Sequence, residues 1–277
     1  MKHLLLGLSV LLAGTALAVP VASAPATRAA SSTACSASKA PAKKSPARRP
    51  SNGLTPAYRK LRALWHMAPP PAVRKKWLAE ENPPLVIKPI HANVSFELRP
   101  DPETGTFGEE AMAAARAAFH WKADGSEHPI DERLLELLYR AVKRYKAPYV
   151  HLVSGYRNRN GRSSSRHNQG RAADVVLPGV GDAQLAAFFR RQGFVGVGLY
   201  PVSGFTHVDV RDRSYFWVDR SGPGQRGRER AILGQEAALA DAKARKRGER
   251  PTPPYRFEGA ENEEEVLAVA ETPSSED

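Results

Sequence analysis

The sequence is poor in cysteine, and its acidic residues are confined to part of the chain. Cys35 is the only cysteine among 277 residues, so no internal disulfide can stabilise the fold, and core packing or a bound metal must do so. No Asp or Glu occurs before Glu80, whereas the segment 258–277 is strongly acidic, and the formal net charge is +12. The charge is therefore regional, and the average composition describes no single part of the chain.

Long apolar runs are also scarce, and only the one near the N-terminus is long enough to consider as a membrane span. Met1–His3 give a positive start, Leu4–Ala18 give the apolar run, and Ala22–Ala24 give a small-residue cleavage site, a pattern typical of a secretory signal peptide. A transmembrane helix needs about 20 apolar residues, which is more than this run supplies. We therefore predict a signal peptide at 1–24, no transmembrane span in the mature chain, and export to the periplasm or cell envelope.

The segment 25–84 is predicted to be a basic Pro/Ala-rich linker with an N-terminal extension. Its first half, up to about residue 52, is Ala, Pro, Ser, Lys and Arg with almost nothing large and apolar. Such an arm either binds anionic envelope polymers or serves as a solvated spacer. Nucleic-acid binding is disfavoured by the export pattern and by the lack of aromatic residues among the basic ones. Cys35 lies in this linker as a free thiol or, alternatively, as a lipidated residue.

The segment 85–226 has the patterns of one folded domain. Helical spacing of apolar residues predicts helices at 109–119, from Pro129 to Tyr145, and at 185–192. Alternating or β-branched runs predict short strands at 94–98, 149–154, 172–177, 195–200, 206–211 and 215–220. Helices followed by clustered strands indicate an α+β fold rather than alternating βαβ units. Beyond this domain, 227–277 is predicted to be a charged, solvated helix and an acidic tail.

Three residues have the chemistry of a catalytic zinc site. A zinc hydrolase uses three protein ligands of His or carboxylate type and leaves a fourth position for water. His167, at the end of a polar loop, Asp174, in a predicted strand, and His207, in a strand farther along the chain, meet that requirement. The helical His-Glu-x-x-His arrangement does not occur in the sequence, so folding must bring the three ligands together.

The residues around these ligands resemble a known family. Ser165–Asp174 fits the pattern Ser-x-His-x-x-Gly-x-Ala-x-Asp, which is similar to the zinc motif of the D-Ala-D-Ala carboxypeptidase and murein endopeptidase family. Ser154–Arg157 upstream and Tyr200–Asp209 downstream extend the resemblance. It implies a Hedgehog/D-Ala-D-Ala peptidase-like fold with a small antiparallel sheet, flanking helices and the zinc site on the sheet. It also assigns Zn²⁺ binding to His167, Asp174 and His207.

Two further residues are candidates for catalytic roles. Arg157 is predicted to stabilise an oxyanion or hold a terminal carboxylate through paired hydrogen bonds. Asp209, two residues beyond His207 on the same strand face, is predicted to be the general base or, alternatively, a group that supports a ligand. The chain departs from its relatives at Gly204 and Phe205, where members of the family carry a Glu or a His respectively.

The resemblance implies an exported zinc metallopeptidase that cleaves peptidoglycan peptides through a zinc-activated water. We predict a D,D-endopeptidase acting on peptide cross-links. Two alternatives stay open: a zinc-binding envelope module with little or no activity, and a carboxypeptidase or a peptidase for peptides outside the wall. The missing Glu before His207 keeps the binding module under consideration.

Overall fold

The computed structural model describes residues 54–158, 165–225 and 227–251. The predicted signal peptide, the first part of the basic linker with Cys35, and the acidic tail lie outside these residues. Within them, the helices are α1 Pro56–His66, α2 Pro71–Leu78, α3 Glu109–Ala118, α4 Glu132–Tyr145, α5 Asp182–Gln192 and α6 Gly234–Lys246. The strands are β1 Leu85–Pro89, β2 Phe96–Leu98, β3 Val150–Ser154, β4 Ala172–Val176, β5 Val195–Tyr200, β6 Phe205–Val210, β7 Tyr215–Asp219 and β8 Glu229–Arg230.

The strands form one mixed sheet in the order β2-β1-β3-β4-β6-β5-β7-β8. The α+β class is confirmed, but the prediction of a small antiparallel sheet is inexact, because the sheet has eight strands and β1 with β3 and β5 with β7 are parallel pairs. The first parallel pair is possible because β2, α3 and α4 lie between β1 and β3 and carry the chain across to the side of β1 opposite to β2. The second arises because β6 reverses the chain before β7 joins the other side of β5.

Helix α4 begins at a capped residue and contributes much of the core. Asp131 accepts a hydrogen bond from the backbone N–H of Arg133, so the helix begins after Asp131 and Pro129 lies before its first turn. Its apolar side chains, with those of α5 and one side of the sheet, form a single core. The buried α4 members are Leu134, Leu135, Leu137, Leu138, Ala141 and Val142.

The two faces of the central strands differ in chemistry because successive side chains of a strand point to opposite faces. Ala173 and Val175 of β4, and Val208 of β6, belong to the hydrophobic core that the helices cover. Asp174 and His207 alternate with them and therefore lie on the opposite face. The strand pattern places the predicted metal ligands on the face that the core does not use.

Helices outside 85–226 also contact the predicted domain. Tyr58 of α1 donates from its hydroxyl to the carbonyl of Ser203 at 2.8 Å, and His66 lies 3.0 Å from the Asp182 carboxylate. Helix α6 lies in the segment predicted to be a charged, solvated helix, and one of its faces packs against the domain. Its small residues Ala237, Ala240 and Ala244 are buried, because alanines let this helix pack closely against α5. None of the helices in the described part of the chain has the length and apolar character to cross a membrane.

Candidate metal centre

Folding brings together the three residues that the motif predicts as ligands. His167 lies in a short 3-10 helix at Arg166–Gln169, whereas Asp174 of β4 and His207 of β6 are direct partners across an antiparallel pair. Their ligand atoms all lie within 4.8 Å of one another, and all three residues are buried. His207 Nδ1 is 2.8 Å from Asp174 Oδ1 and 3.2 Å from His167 Nε2. This group of two imidazoles and one carboxylate is a donor set that suits zinc.

The glycine of the motif fixes the turn that carries His167. Gly170 ends the 3-10 helix with φ 64°, a left-handed conformation that favours glycine. A Cβ atom there would lie 2.0 Å from the carbonyl oxygen of Pro129. Gly170 therefore allows the turn to pack directly against the segment before α4, which holds His167 above the start of β4.

Each ligand is restrained by a second polar partner. His167 Nδ1 donates to the carbonyl oxygen of Gly155 at 2.6 Å, which leaves the lone pair of Nε2 directed at the cluster. Arg157 donates from Nη2 to Asp174 Oδ2, and its Nε donates to Ser154 Oγ at 2.8 Å. Partners of this kind select the tautomer and orientation of a metal ligand.

The third ligand, His207, is restrained by Asp209. His207 Nε2 lies 2.9 Å from Asp209 Oδ2, so the Nδ1 side faces Asp174 and His167. Asp209 is fully buried and also accepts two hydrogen bonds from Arg211, at 2.5 Å to Oδ1 and 2.8 Å to Oδ2. Both carboxylate oxygens are therefore engaged by neighbouring side chains.

The buried charges of the cluster shift its ionisation. Burial lowers the pKa of His167 and thereby favours the neutral imidazole that a metal requires. Burial would also lower the pKa of His207, but its hydrogen bonds to the carboxylates of Asp174 and Asp209 outweigh this effect and raise the pKa to about 9. For Asp174, burial opposes ionisation, yet the surrounding imidazoles and Arg157 hold the pKa well below its usual range.

An open cavity of about 730 Å³ adjoins the cluster. Its size falls in the range of ordinary ligand sites. The ligands form part of its lining together with cationic, aromatic and acidic side chains. The other lining residues are Arg157, Ser165, Arg166, Gln169, Tyr200, Phe205, Asp209, Arg211, Tyr215, Trp217 and Glu229.

Two glycines of β5 clear the space for large side chains on this face. Gly198 is paired with His207 on one side and with Trp217 on the other, and a Cβ at Gly198 would lie 2.5 Å from the Trp217 indole. A Cβ at Gly196 would lie 2.3 Å from Asp209 Oδ2 and 2.4 Å from the Nε of Arg211. Because Gly196 and Gly198 have no side chains, the Trp217 indole and the Asp209 and Arg211 side chains fit beside His207.

The aromatic side chains of this face contact one another and the cluster. The ring centroid of Trp217 is 5.2 Å from that of His207 and 5.4 Å from that of Tyr215. Trp217 Nε1 donates to the Tyr200 hydroxyl at 3.2 Å. Tyr200 in turn stacks on Phe205, with centroids 4.5 Å apart and planes 20° from parallel. These contacts build one wall of the cavity beside the ligands.

The departure at Gly204 has a steric reason. Gly204 has φ 74°, and a Cβ there would lie 2.3 Å from the Nε atom of Arg62. Arg62 belongs to α1 and donates to the carbonyl of Val202 at 3.2 Å. A glutamate at this position would need both a strained backbone and displacement of Arg62, which disfavours a carboxylate there.

The structure brings all five predicted site residues to one cavity, and four of the residues that it adds flank His207 and Asp209. These four are Tyr200, Arg211, Tyr215 and Trp217. The sequence feature that indicates them is Gly196-x-Gly198. These two glycines leave one face of β5 without side chains, next to the strand β6 that carries His207. Glycines in a strand often mark the close approach of another group, and this reading would have pointed to the missing wall.

Residues 110–209 match the family model described as Peptidase M15. No curated protein and no solved structure shows significant similarity to the chain. The matched segment contains the three ligands, Arg157 and Asp209, but ends before Arg211. A metallopeptidase domain is supported by this match together with the buried His-Asp-His group. The match supports the relationship that the motifs indicate: residues 110–209 are similar to the Peptidase M15 family.

Proposed function

We propose that this protein is an exported zinc-dependent peptidoglycan peptidase and that it acts as a D,D-endopeptidase on peptide cross-links. The observation that carries the proposal is the convergence of His167, Asp174 and His207, each with a second partner, beside an open cavity. The family match supports the peptidase class. The N-terminal pattern at 1–24 supports export to the periplasm or cell envelope.

In this proposal the ligands are His167 Nε2, His207 Nδ1 and the Asp174 carboxylate. The second partners of the two histidines leave those nitrogens as the free lone pairs. When bound, zinc supplies Lewis-acid polarisation of the scissile carbonyl and activates a water molecule at neutral pH. The protein's own contribution is to hold the donors in a fixed geometry beside the open cavity.

Arg157 and Asp209 receive roles that follow from their contacts. Arg157 is tied to Asp174 and Ser154, so we propose that it fixes the outer oxygen of the Asp174 carboxylate. Asp209 orients His207 and is itself held by Arg211. The role of Asp209 as general base and that of Arg157 as a direct substrate contact stay predictions.

The cavity supports a polar peptide as the substrate. Arg166 supplies a positive charge in the lining, and Glu229, which accepts a hydrogen bond from the Tyr215 hydroxyl at 2.8 Å, supplies a negative one. A peptide with both carboxylate and amino groups complements such a lining. Peptidoglycan stem peptides have this chemistry, and the basic segment before Glu80 would add attraction to anionic envelope polymers.

Mass spectrometry of muropeptides digested by the zinc-loaded full chain tests the proposal. We expect cross-linked dimers to give monomers, and we expect His167→Ala to abolish this cleavage because it removes a ligand. His91→Ala is the matched control, since His91 is exposed and lies outside the cavity. The control should retain wild-type cleavage.

The products separate the alternatives. Release of single terminal residues without loss of cross-links would replace the endopeptidase with a carboxypeptidase. Binding to purified sacculi, with stability that depends on zinc and no cleavage of any muropeptide, would replace the enzyme with a binding module. Either result would reject the endopeptidase proposal.

A further inference from the structure

The contacts of Arg157 and Asp209 do not supply a hydrogen-bond donor for the scissile carbonyl oxygen. Arg157 donates to Asp174 and Ser154, and Asp209 is engaged by His207 and Arg211, so the contacts that both residues make support the predicted metal ligands. Peptide hydrolysis places negative charge on the scissile carbonyl oxygen in the transition state, and an aligned donor at that oxygen lowers the barrier. A suitable donor is a group of the cavity lining whose hydrogen has no acceptor among the described residues.

Tyr200 carries a neutral hydroxyl and lies on β5, the strand that pairs with the His207 strand β6. Tyr200 is paired with Phe205 in the β5–β6 hairpin, and both lie two residues from the Gly198–His207 pair. Because residues two apart on a strand share a face, Tyr200 points to the same side of the sheet as His207. Its ring lines the cavity together with Asp174 and His207.

The hydroxyl of Tyr200 has a donor capacity that the described residues do not use. Its oxygen accepts the Nε1 hydrogen of Trp217 at 3.2 Å. A phenolic hydroxyl carries one hydrogen to donate, and no acceptor for it occurs in residues 54–158, 165–225 and 227–251. The bond from Trp217 also restricts how the hydroxyl is oriented, so its hydrogen is available on the remaining side.

The position of Tyr200 is restrained by Phe205 and Trp217. Phe205 stacks on it at 4.5 Å, and Trp217 reaches it because Gly198 leaves room for the indole. Burial raises the pKa of Tyr200 to about 12, so the hydroxyl keeps its proton at any pH at which the enzyme would work. A fixed, protonated donor is what a developing oxyanion requires.

We infer that Tyr200 is a catalytic residue that donates a hydrogen bond from its hydroxyl to the scissile carbonyl oxygen as negative charge develops there. The inference rests on the proposed peptidase function and names the group that stabilises its transition state. The hydroxyl keeps its proton throughout, and no bond to Tyr200 forms or breaks. The negative charge comes from the carbonyl electron pair that moves onto oxygen when the nucleophile attacks the carbon.

Tyr200→Phe tests this inference because it removes only the hydroxyl. We expect kcat to fall by about 10²–10³-fold, the effect of deleting one oxyanion donor, with KM changed by less than about threefold. A phosphinate analogue of the cleaved peptide, which carries a charged tetrahedral centre, should lose affinity by a similar factor in a calorimetric titration. Bound zinc per chain should stay at the wild-type value, since Tyr200 is not a ligand.

Tyr145→Phe is the matched control, because it also removes a tyrosine hydroxyl but lies on α4, outside the cavity. It should match the wild type in kcat, phosphinate affinity and zinc content. Trp217→Phe provides a second test that keeps the Tyr200 hydroxyl but removes the Nε1 donor that orients it. We expect this variant to lose part of kcat and of phosphinate affinity together.

The two proposals fail in different ways. A wild-type chain that cleaves no muropeptide would reject the peptidase function. An active wild type together with a Tyr200→Phe variant of unchanged kcat and unchanged phosphinate affinity would reject the role of Tyr200 alone. A fall in kcat that accompanies loss of zinc would also reject it, because the residue would then act on the metal site.

Discussion

The two sides of the cavity are built by different physical means. The ligand cluster, which is His167, Asp174 and His207, consists of small polar groups that are buried and restrained by charge and hydrogen bonds. The aromatic wall, which is Tyr200, Tyr215 and Trp217, consists of large side chains that fit because β5 has no side chain at Gly198. Electrostatic interactions stabilise the ligand cluster, and close packing of side chains stabilises the aromatic wall.

This difference predicts that the two sides respond to different perturbations. A change in charge or protonation should alter the metal affinity of the ligand cluster, because its partners act on the ligands directly. A change in volume should alter the aromatic wall, because close-packed side chains have little room to move. Mutations of each kind can therefore separate metal binding from substrate turnover.

The largest effect on stability and kcat is expected when a side chain is added to β5 beneath the aromatic wall. Gly198→Ala would place a Cβ 2.5 Å from the Trp217 indole, so the indole must move away from His207 and Tyr200. Overpacking of this kind costs about 1–3 kcal/mol, and we expect a lower midpoint of thermal unfolding and a marked loss of kcat. Zinc measured by mass spectrometry should remain bound, because the ligands and their partners are unchanged.

Gly234→Ala is the control for this substitution. Gly234 begins α6, and nothing lies within 4 Å of a Cβ at that position. It should leave the unfolding midpoint and activity close to those of the wild type. If Gly198→Ala and Gly234→Ala had the same unfolding midpoint and activity, the aromatic wall would not depend on the missing side chain at Gly198.

A somewhat smaller effect, on zinc affinity, is expected when the carboxylate that contacts His207 loses its charge. Asp209→Asn keeps the size of the side chain but removes the negative charge that orients His207 Nε2. Loss of such a partner weakens metal affinity by about 10–100-fold, which a competition titration with a chromogenic chelator would measure. The exposed Asp212→Asn is the control and should bind zinc as the wild type does. Equal affinities for both variants would contradict the supporting role of Asp209.

The sequence predicts the ligand cluster better than it predicts the aromatic wall. The motif around His167 and Asp174 is short in sequence and resembles a known zinc motif, so the ligands are predicted from that resemblance. The wall depends on which strands become neighbours, and the parallel pairing of β5 with β7 is decided by tertiary packing. Tyr200 and Trp217 are 17 residues apart and carry no joint pattern that would predict their hydrogen bond.

The fold shows the same division between local and long-range information. Strand β5 has the predicted bounds, and β6 is displaced by one residue, because both are β-branched runs between clear turns. The order of the eight strands could not be predicted from such runs, since pairing depends on contacts distant in the chain. The packing of α6 was also missed, because its buried face is made of alanines, which give a weak amphipathic signal.

The smallest effect concerns protonation of the ligand cluster and needs no mutation. In the metal-free protein the pKa of His207 is raised to about 9, so its favourable contacts stabilise the fold below the unfolded pKa of about 6.5 and are lost as the pH rises through about 9. Zinc requires the neutral form and therefore displaces this proton. We expect zinc affinity to weaken about tenfold for each pH unit below about 9. Burial lowers the pKa of His167, so His167 should add little to this dependence.

Calorimetric titrations in buffers with different heats of ionisation measure the proton release directly. At pH 7–8 we expect about one proton to leave for each zinc bound, because His207 is protonated there without metal. Asp209→Asn should reduce this release, since it removes one of the two carboxylates that raise the pKa of His207. Phosphinate binding to the zinc-loaded protein should show no matching proton release from Tyr200, whose pKa of about 12 keeps it protonated throughout. A zinc affinity that is constant from pH 7 to 9 would show that His207 is already neutral, and would remove the electrostatic distinction between the ligand cluster and the aromatic wall.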